Sequence, residues 1–317
     1  MESQVQTQDG SPRIGRFRKS WILTKAAWTG LKLDKELAVL PVIGTTVGIG
    51  IIIAAIALAV LTAQTGLFFP TEIPASADQE TGFAFTVWGY ALLAAVGLLL
   101  AAVSTFVSGA VIHGALQRFQ GNDPSIKSSI AAAWSRLGSL TAFAAFSFVI
   151  GNIISFIASR LPFIGGMVVE WLAGAAWNVA SFFALPVIVS SDRPVGPVKA
   201  TKGSIAIIKQ VWGESLIANV GIGLIAFLTV ILYTIVSSVV IGVASSVLVA
   251  PSAVLIVLSV LALIGLLVIA LVFSMLSAYI KAAIYYFATT GESPVTFNSQ
   301  LLRQAFTAKK ARKVFSI

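Results

Sequence analysis

The sequence predicts an all-α integral membrane protein with six transmembrane helices. Of its 317 residues, 57% are hydrophobic and 10% are charged, and the mean hydropathy is +0.95. Uncharged stretches of roughly 20 residues or more recur along the chain, and each is long enough to cross about 30 Å of hydrocarbon as a helix. The positive residues collect in alternate connections between these stretches. Together these three observations exclude an ordinary soluble domain.

The apolar stretches define the predicted spans, with Trp134 and Trp171 near their ends, as is typical of the lipid headgroup region. Each span is predicted to be one transmembrane helix. The spans are 38–61, 85–110, 137–158, 168–189, 217–241 and 254–278.

The topology follows from the distribution of Lys and Arg. The segment before the first span, the connections after the second and fourth spans, and the segment after the sixth hold seven, three, four and six of the 21 positive residues. The remaining one is Arg160, between the third and fourth spans. Because cytoplasmic segments are rich in Lys and Arg, both termini are predicted to be cytoplasmic. The net charge of +9 then indicates an anionic inner leaflet of the plasma membrane, and not a nucleic acid, as the partner.

An internal repeat is predicted, in which each unit is an amphipathic inner helix followed by two spans. Residues 109–119 align without gaps with residues 277–287, and most positions are identical or similar. The Val-Gly-Ile-Gly run at 47–50 recurs at 220–223 in the corresponding span. The three units are 15–120, 121–192 and 193–290.

The inner helices have one apolar and one basic side. In the third unit, Ile205, Ile208 and Trp212 lie opposite Lys202 and Lys209. Such a helix is expected to lie flat on the inner leaflet, either as a collar around the bundle or as a binding surface. Residues 1–14 are predicted to be a disordered tail, residues 15–317 a single membrane domain, and residues 298–313 a basic C-terminal amphipathic helix.

One run near the start resembles a known family. It reads Ser20-Trp21-x-Leu23-x-Lys25-x-x-Trp28-x-x-Leu31-x-x-Asp34-Lys35-Glu36-Leu37-x-x-x-Pro41. This run is similar to the opening of an uncharacterised family of prokaryotic multi-span membrane proteins, a domain of unknown function. The proline-led inner helices more distantly resemble the membrane domain attached to some bacterial glycerophosphodiester phosphodiesterases. The resemblance implies a multi-span layout and supplies no mechanism.

The main candidate site consists of His113, Lys281 and Arg118. The repeat places His113 and Lys281 at equivalent positions near the inner ends of the second and sixth spans. An ionisable residue inside a span is expensive, and it is therefore a functional candidate. The three side chains are predicted to line an inner vestibule that binds lipid headgroups or an anionic solute. The alternative is that Lys281 and His113 simply extend their polar ends to the membrane surface.

Two further groups of polar residues lie in or beside the spans. Arg160 and Glu170 flank the short outer turn before the fourth span, and they indicate either an outer ion pair or a site for a substrate carboxylate. Asn152, Asn178 and Asn219 lie within spans, where they either line a polar path or form ordinary hydrogen bonds between helices.

The sequence favours a noncatalytic function. There is no cysteine and only one histidine, and no nucleophile with a base and no metal-ligand spacing can be assembled. No cofactor, no metal and no enzymatic activity are therefore predicted. The favoured function is a membrane scaffold or complex subunit that engages lipids or partner proteins. The alternative is a transporter or channel for a small solute or lipid, although the repeats run in parallel and the spans carry almost no charge.

Overall fold

The computed structural model describes residues 35–68, 85–210, 215–246, 252–292 and 294, and its described backbone is helical. The predicted tail at 1–14, most of the first inner helix and the C-terminal helix at 298–313 lie outside the described residues. A 3₁₀ turn at Lys35–Ala38 leads into the first helix. The helices are α1 (Val39–Leu61), α2 (Val87–Phe119), α3 (Ile126–Ser135), α4 (Leu137–Ser159), α5 (Phe163–Ala180), α6 (Ala184–Ser190), α7 (Pro197–Gln210), α8 (Ser215–Ser246) and α9 (Ser252–Thr290).

Six helical segments are long and apolar enough to cross a membrane. They are α1, α2, α4, the stretch Phe163–Ser190 that combines α5 and α6, α8 and α9. The predicted six-span membrane class is confirmed by these segments. The boundaries of α1 and α4 differ from the predicted spans by one residue at most.

The helices α2 and α9 continue well past their predicted ends, at Ala110 and Ala278. Their extra turns are buried against other helices, so the apolar pattern there reflects protein packing. Each helix stops beside a glycine with a positive φ, Gly121 at 85° and Gly291 at 74°. Glycine adopts this left-handed conformation without strain, and it commonly ends helices for that reason.

The fourth span is broken at residues 181–183, where one transmembrane helix was predicted. The cause is Pro186, which has no N–H to donate to the carbonyl of Phe182 one turn earlier. The N–H of Ala184 donates instead to the carbonyl of Ser181, at 3.0 Å, and the regular pattern resumes where Val187 donates to Phe183, at 2.9 Å.

The helix α2 is the central element of the bundle. It packs on α1, α4 and α9 among the spanning helices, and on the shorter α3 and α6. On its two sides, α9 packs on α8 and α4 packs on α5. Close approaches occur at glycines: Gly44 of α1 faces Val107, and Gly97 of α2 faces Phe148 of α4. Small residues at these points let the helix backbones come together.

The buried core lies at one end of the bundle, which we call the core end. It contains Leu37, Ile112, Leu140, Phe183 and Ile284, all at most 2% exposed. The opposite end, called the far end, contains Leu61, the start of α2 and the turn 160–162. The most apolar stretches of α2, α8 and α9 contain no buried residue. Along most of their length the spanning helices therefore expose apolar side chains, as lipid contact requires.

Two short helices pack at the core end. In α3, Ser125 and Ser128 form a capping box at the N-terminus, and Ser129 and Ala133 are buried. In α7, the buried residues are Ala200, Ser204, Ile207 and Ile208, a set with helical spacing, and they face protein. Ile205 is only partly buried, so the apolar face of α7 is rotated from the predicted one. The basic residues of α7 that remain exposed are Lys199, Lys202 and Lys209.

Candidate functional site

Lys281 lies within the core end, on the part of α9 that packs beside α6 and α7. Its side chain is partly buried, and its Nζ atom lies 5.5 Å from the centre of the Phe182 ring. At this distance the face of the ring attracts the ammonium group. Within the part of the chain that the structure describes, no carboxylate pairs with this ammonium.

The surroundings of Lys281 are aromatic and are fixed by the break in the fourth span. Phe183 at the break is fully buried, and its backbone N–H donates to Ser204 Oγ of α7, at 2.9 Å. One turn beyond Lys281, the hydroxyl groups of Tyr285 and Ser190 are 2.6 Å apart and join α9 to α6. The buried hydrogen bond of Ser204 joins α7 to the break, and the exposed hydrogen bond of Tyr285 joins α9 to α6.

The surroundings of Lys281 are better suited to binding an anion than to catalysing a reaction. A lysine ammonium offers three donors and behaves as a compact positive charge. Its apolar setting strengthens attraction to a negative group such as a phosphate, because little water screens the charge. Lys281 therefore stays the leading candidate for contact with a lipid headgroup or an anionic solute.

His113 and Arg118 have other surroundings. His113 is partly buried on α2 and lies two turns from Phe106, on nearly the same helical face. Phe106 packs edge-to-face on Trp134 of α3, at 6.2 Å between ring centres. Arg118 forms a salt bridge with Asp123, with Nη2 and Oδ1 2.7 Å apart. Among the described contacts, none joins the three predicted vestibule residues to one another, and their shared vestibule stays a prediction.

Arg160 and Glu170 each contact a side chain of α4. The carboxylate of Glu170 accepts a hydrogen bond from Ser155 Oγ of α4, at 2.8 Å. The guanidinium of Arg160 lies over the ring of Phe156, 4.9 Å from its centre. In the described part of the chain, no salt bridge joins Arg160 to Glu170, and their predicted role as an ion pair or a carboxylate site stays a prediction.

The intramembrane asparagines are not brought together by the described structure. Asn152 is exposed on α4, and its Nδ2 donates to the carbonyl of Phe148 in the same helix, at 2.8 Å. Asn178 is exposed on α5. Asn219 belongs to α8, and its side chain lies outside the described residues. Which of their two predicted roles applies stays open.

Three residues that organise the core end were not identified from the sequence. Ser204 is buried and caps the break, and Arg136 donates through Nη2 to the carbonyl of Ser191, at 2.5 Å, across 55 positions of the chain. Pro186, in the middle of an apolar span, is the signal from which the break was predictable. Within the described ranges, no three His, Asp or Glu side chains are grouped closely enough to hold a metal ion.

Comparison with known proteins gives one match. Residues 87–295, more than half of the chain, match the model of a family of unknown function, DUF6159. No curated protein matches the chain. No solved structure matches it either. The matched region begins at α2, beyond the run at 20–41, and nothing in these comparisons supports the distant phosphodiesterase resemblance. The chain belongs to this family of unknown function, DUF6159.

Proposed function

We propose that this protein is a noncatalytic membrane scaffold or complex subunit, which engages anionic lipid and partner proteins through its core end. The observation that carries this proposal is the position of the core. Packing and positive charge are concentrated at the same end of the bundle, while the rest of the helices expose apolar surface to lipid. A rigid basic end in contact with the membrane surface is suited to holding other components.

The orientation is part of the same proposal. The core end faces the cytoplasm, both termini lie on that side, and the membrane is the plasma membrane. In support, the far end contributes one basic residue to the described part of the chain, Arg160. The basic side chains of the core end are Arg118, Lys127, Arg136, Arg193, Lys199, Lys202, Lys209 and Lys281.

The repeat is also part of the proposal. A short helix followed by two spans occurs at α3 to α6 and again at α7 to α9, and this order supports units at 121–192 and 193–290. Parallel repeats would place the equivalent short helices on the same side of the membrane. A collar of basic helices around the core end would follow.

The orientation is tested with introduced cysteines, because the chain contains none. Gln64→Cys at the far end should react with a membrane-impermeant thiol reagent in intact cells, and Asn122→Cys after α2 should react only after the cells are opened. Both positions are exposed, whereas Ser204 is buried and unsuitable for labelling. Labelling of Asn122→Cys in intact cells would overturn the orientation.

The lipid contact is tested on α7. Replacing Lys199, Lys202 and Lys209 together with glutamine should weaken the preference for anionic lipid by about 1 kcal/mol per basic residue near the surface, or about 3 kcal/mol in total. The preference is measured as binding of anionic against zwitterionic lipid to purified protein in nanodiscs. Replacing the same three lysines with arginine is the control, and it should leave the preference unchanged because the charge is kept. Equal preference in the triple variant and the wild type would contradict the proposal.

Transport is the competing function, and it predicts a different result. Purified protein in liposomes should show no solute or lipid flux above that of protein-free liposomes if it is a scaffold, and partner proteins should copurify with it from gently solubilised membranes. Flux that depends on Lys281 would show that the protein is a transporter and not a scaffold. Lys281→Arg and Lys281→Gln are the informative variants, because a shaped anion site discriminates between them more strongly than surface charge does.

A further inference from the structure

The hairpin of α4 and α5 exposes polar side chains on a surface that should face lipid. On α4, Asn152 and Ser155 are exposed, and so is Phe156, at 59%. On α5, Glu170 is exposed beside Trp171, at 71%. These residues follow helical spacing, so they form one continuous surface of the hairpin, which we call the hairpin face.

The hairpin face carries two opposite charges. The guanidinium of Arg160 folds back along α4 to lie over Phe156, and the carboxylate of Glu170 is bonded to Ser155, the adjacent residue. Both charged groups therefore contact neighbouring residues of α4, Ser155 and Phe156, which lie about one helical turn before its end. Within the described part of one protomer they do not pair with each other.

This surface is poorly suited to lipid contact. An ionised carboxylate and exposed amides are expensive in hydrocarbon, and such groups normally face protein or water. The helix α5 lies at the edge of the bundle, where its main neighbours are α4 and α7. The described chain therefore leaves the hairpin face open to a partner.

We propose that the hairpin face is a dimer interface with a second copy of this chain, in which Arg160 of each protomer pairs with Glu170 of the other. This inference is independent of the scaffold function. A twofold axis along the membrane normal keeps equal residues at equal depth, so the two charges of one copy meet the opposite charges of the other at a common level. The surface is self-complementary, which is the requirement for such an interface.

Gly174 permits the close approach. It lies one turn beyond Glu170 on α5, and a Cβ added there would meet no atom within 4 Å in the protomer. Small residues at a membrane interface let two helices approach until their polar side chains bond. A large side chain at Gly174 should therefore block dimerisation without disturbing the fold of the protomer.

The decisive experiment uses two charge-reversal variants, Arg160→Glu and Glu170→Arg, each labelled with a donor or an acceptor fluorophore and reconstituted in liposomes. Each variant alone should dimerise at least about tenfold more weakly than the wild type, because its symmetric dimer contains two pairs of like charges in place of two ion pairs. The mixture of the two should recover wild-type energy transfer, because each mixed dimer restores both pairs. An ion pair within one chain would not be recovered by mixing.

Gly174→Leu provides a second test that changes no charge, with Gly242→Leu on α8 as its control. Gly242 also has no atom within 4 Å of an added Cβ, and it lies on the opposite side of the bundle. Energy transfer should fall for Gly174→Leu and persist for Gly242→Leu. A monomeric wild type, no recovery on mixing, or equal behaviour of the two leucine variants would overturn the proposed dimer.

Discussion

Replacing Gly166 with alanine is expected to destabilise the protein by about 3 kcal/mol, at the upper end of the usual range for overpacking. A Cβ at this position would lie 2.5 Å from the carbonyl oxygen of Ala158, which is backbone of the preceding helix. Backbone cannot rotate away as a side chain does, so α4 and α5 would have to separate at the far end. The change is measured as a lower midpoint of unfolding in detergent.

The neighbouring glycine supplies the control for this prediction. A Cβ at Gly165 would meet Leu161 at 3.8 Å and Pro162 at 4.0 Å, which are ordinary contacts. Gly165→Ala should therefore keep or slightly raise stability, since alanine favours a helix over glycine by up to about 1 kcal/mol. Equal stability of the two alanine variants would show that the hairpin does not depend on the close contact at Gly166.

Replacing Gly114 with alanine should cost about 2 kcal/mol, because it overfills the junction of three elements at the core end. A Cβ there would lie 2.5 Å from Leu37 Cδ2 and 2.7 Å from Ser129 Oγ. Both neighbours are 0% exposed, so neither has free space to move into. Thermal unfolding of purified Gly114→Ala against wild type measures the effect.

A second substitution tests whether Leu37 causes this cost. Leu37→Ala alone should destabilise by about 2–5 kcal/mol through the cavity it leaves. In the double variant the new methyl group enters that cavity, so the combined cost should be less than the sum of the two single costs. Gly138→Ala, where an added Cβ meets no atom within 4 Å, is the control and should not destabilise. Additive costs in the double variant would show that the two residues do not compete for space.

The membrane class and the number of spans were predictable because the bilayer imposes them locally. A span needs a certain length of apolar residues and satisfies its backbone within itself, so composition and length suffice. This is why the predicted boundaries of α1 and α4 agree with the structure. The same local rule does not show which spans contact each other. The packing of α9 on α2 could therefore not be predicted from the hydrophobicity of either helix.

The predictions were weaker where apolar residues serve packing between helices. The extra turns of α2 and α9 hold Phe119 and Tyr279, which pack at 5.1 Å between ring centres. In the sequence, the part of a helix that continues beyond the membrane into a protein core resembles a loop that connects two spans. The break in the fourth span was missed although Pro186 marks it, because a proline in a membrane helix is often accommodated by its neighbours.

The candidate residues were identified from the chemical type of their side chains, and their spatial neighbours came only from the structure. The repeat alignment identified Lys281 near the end of a span, and the structure then supplied its aromatic neighbour, Phe182. Charge identified Arg160 and Glu170, and the structure supplied their neighbours Phe156 and Ser155. Their actual neighbours depend on the rotation of α4 and α5 about their axes, which the positions of two residues on either side of a turn cannot specify.

The six helices that are long and apolar enough to cross a membrane follow from the amino-acid sequence alone, because hydrophobic length and internal backbone bonding act within each segment. Only the tertiary structure decided that the buried core lies at one end, since this depends on how α2, α6, α7 and α9 converge beyond the break at Pro186. Packing among these helices brings Leu37, Phe183 and Tyr279 together from distant positions. Such long-range contacts depend on shape complementarity among many side chains, and hydrophobicity along the chain does not encode which of them will meet.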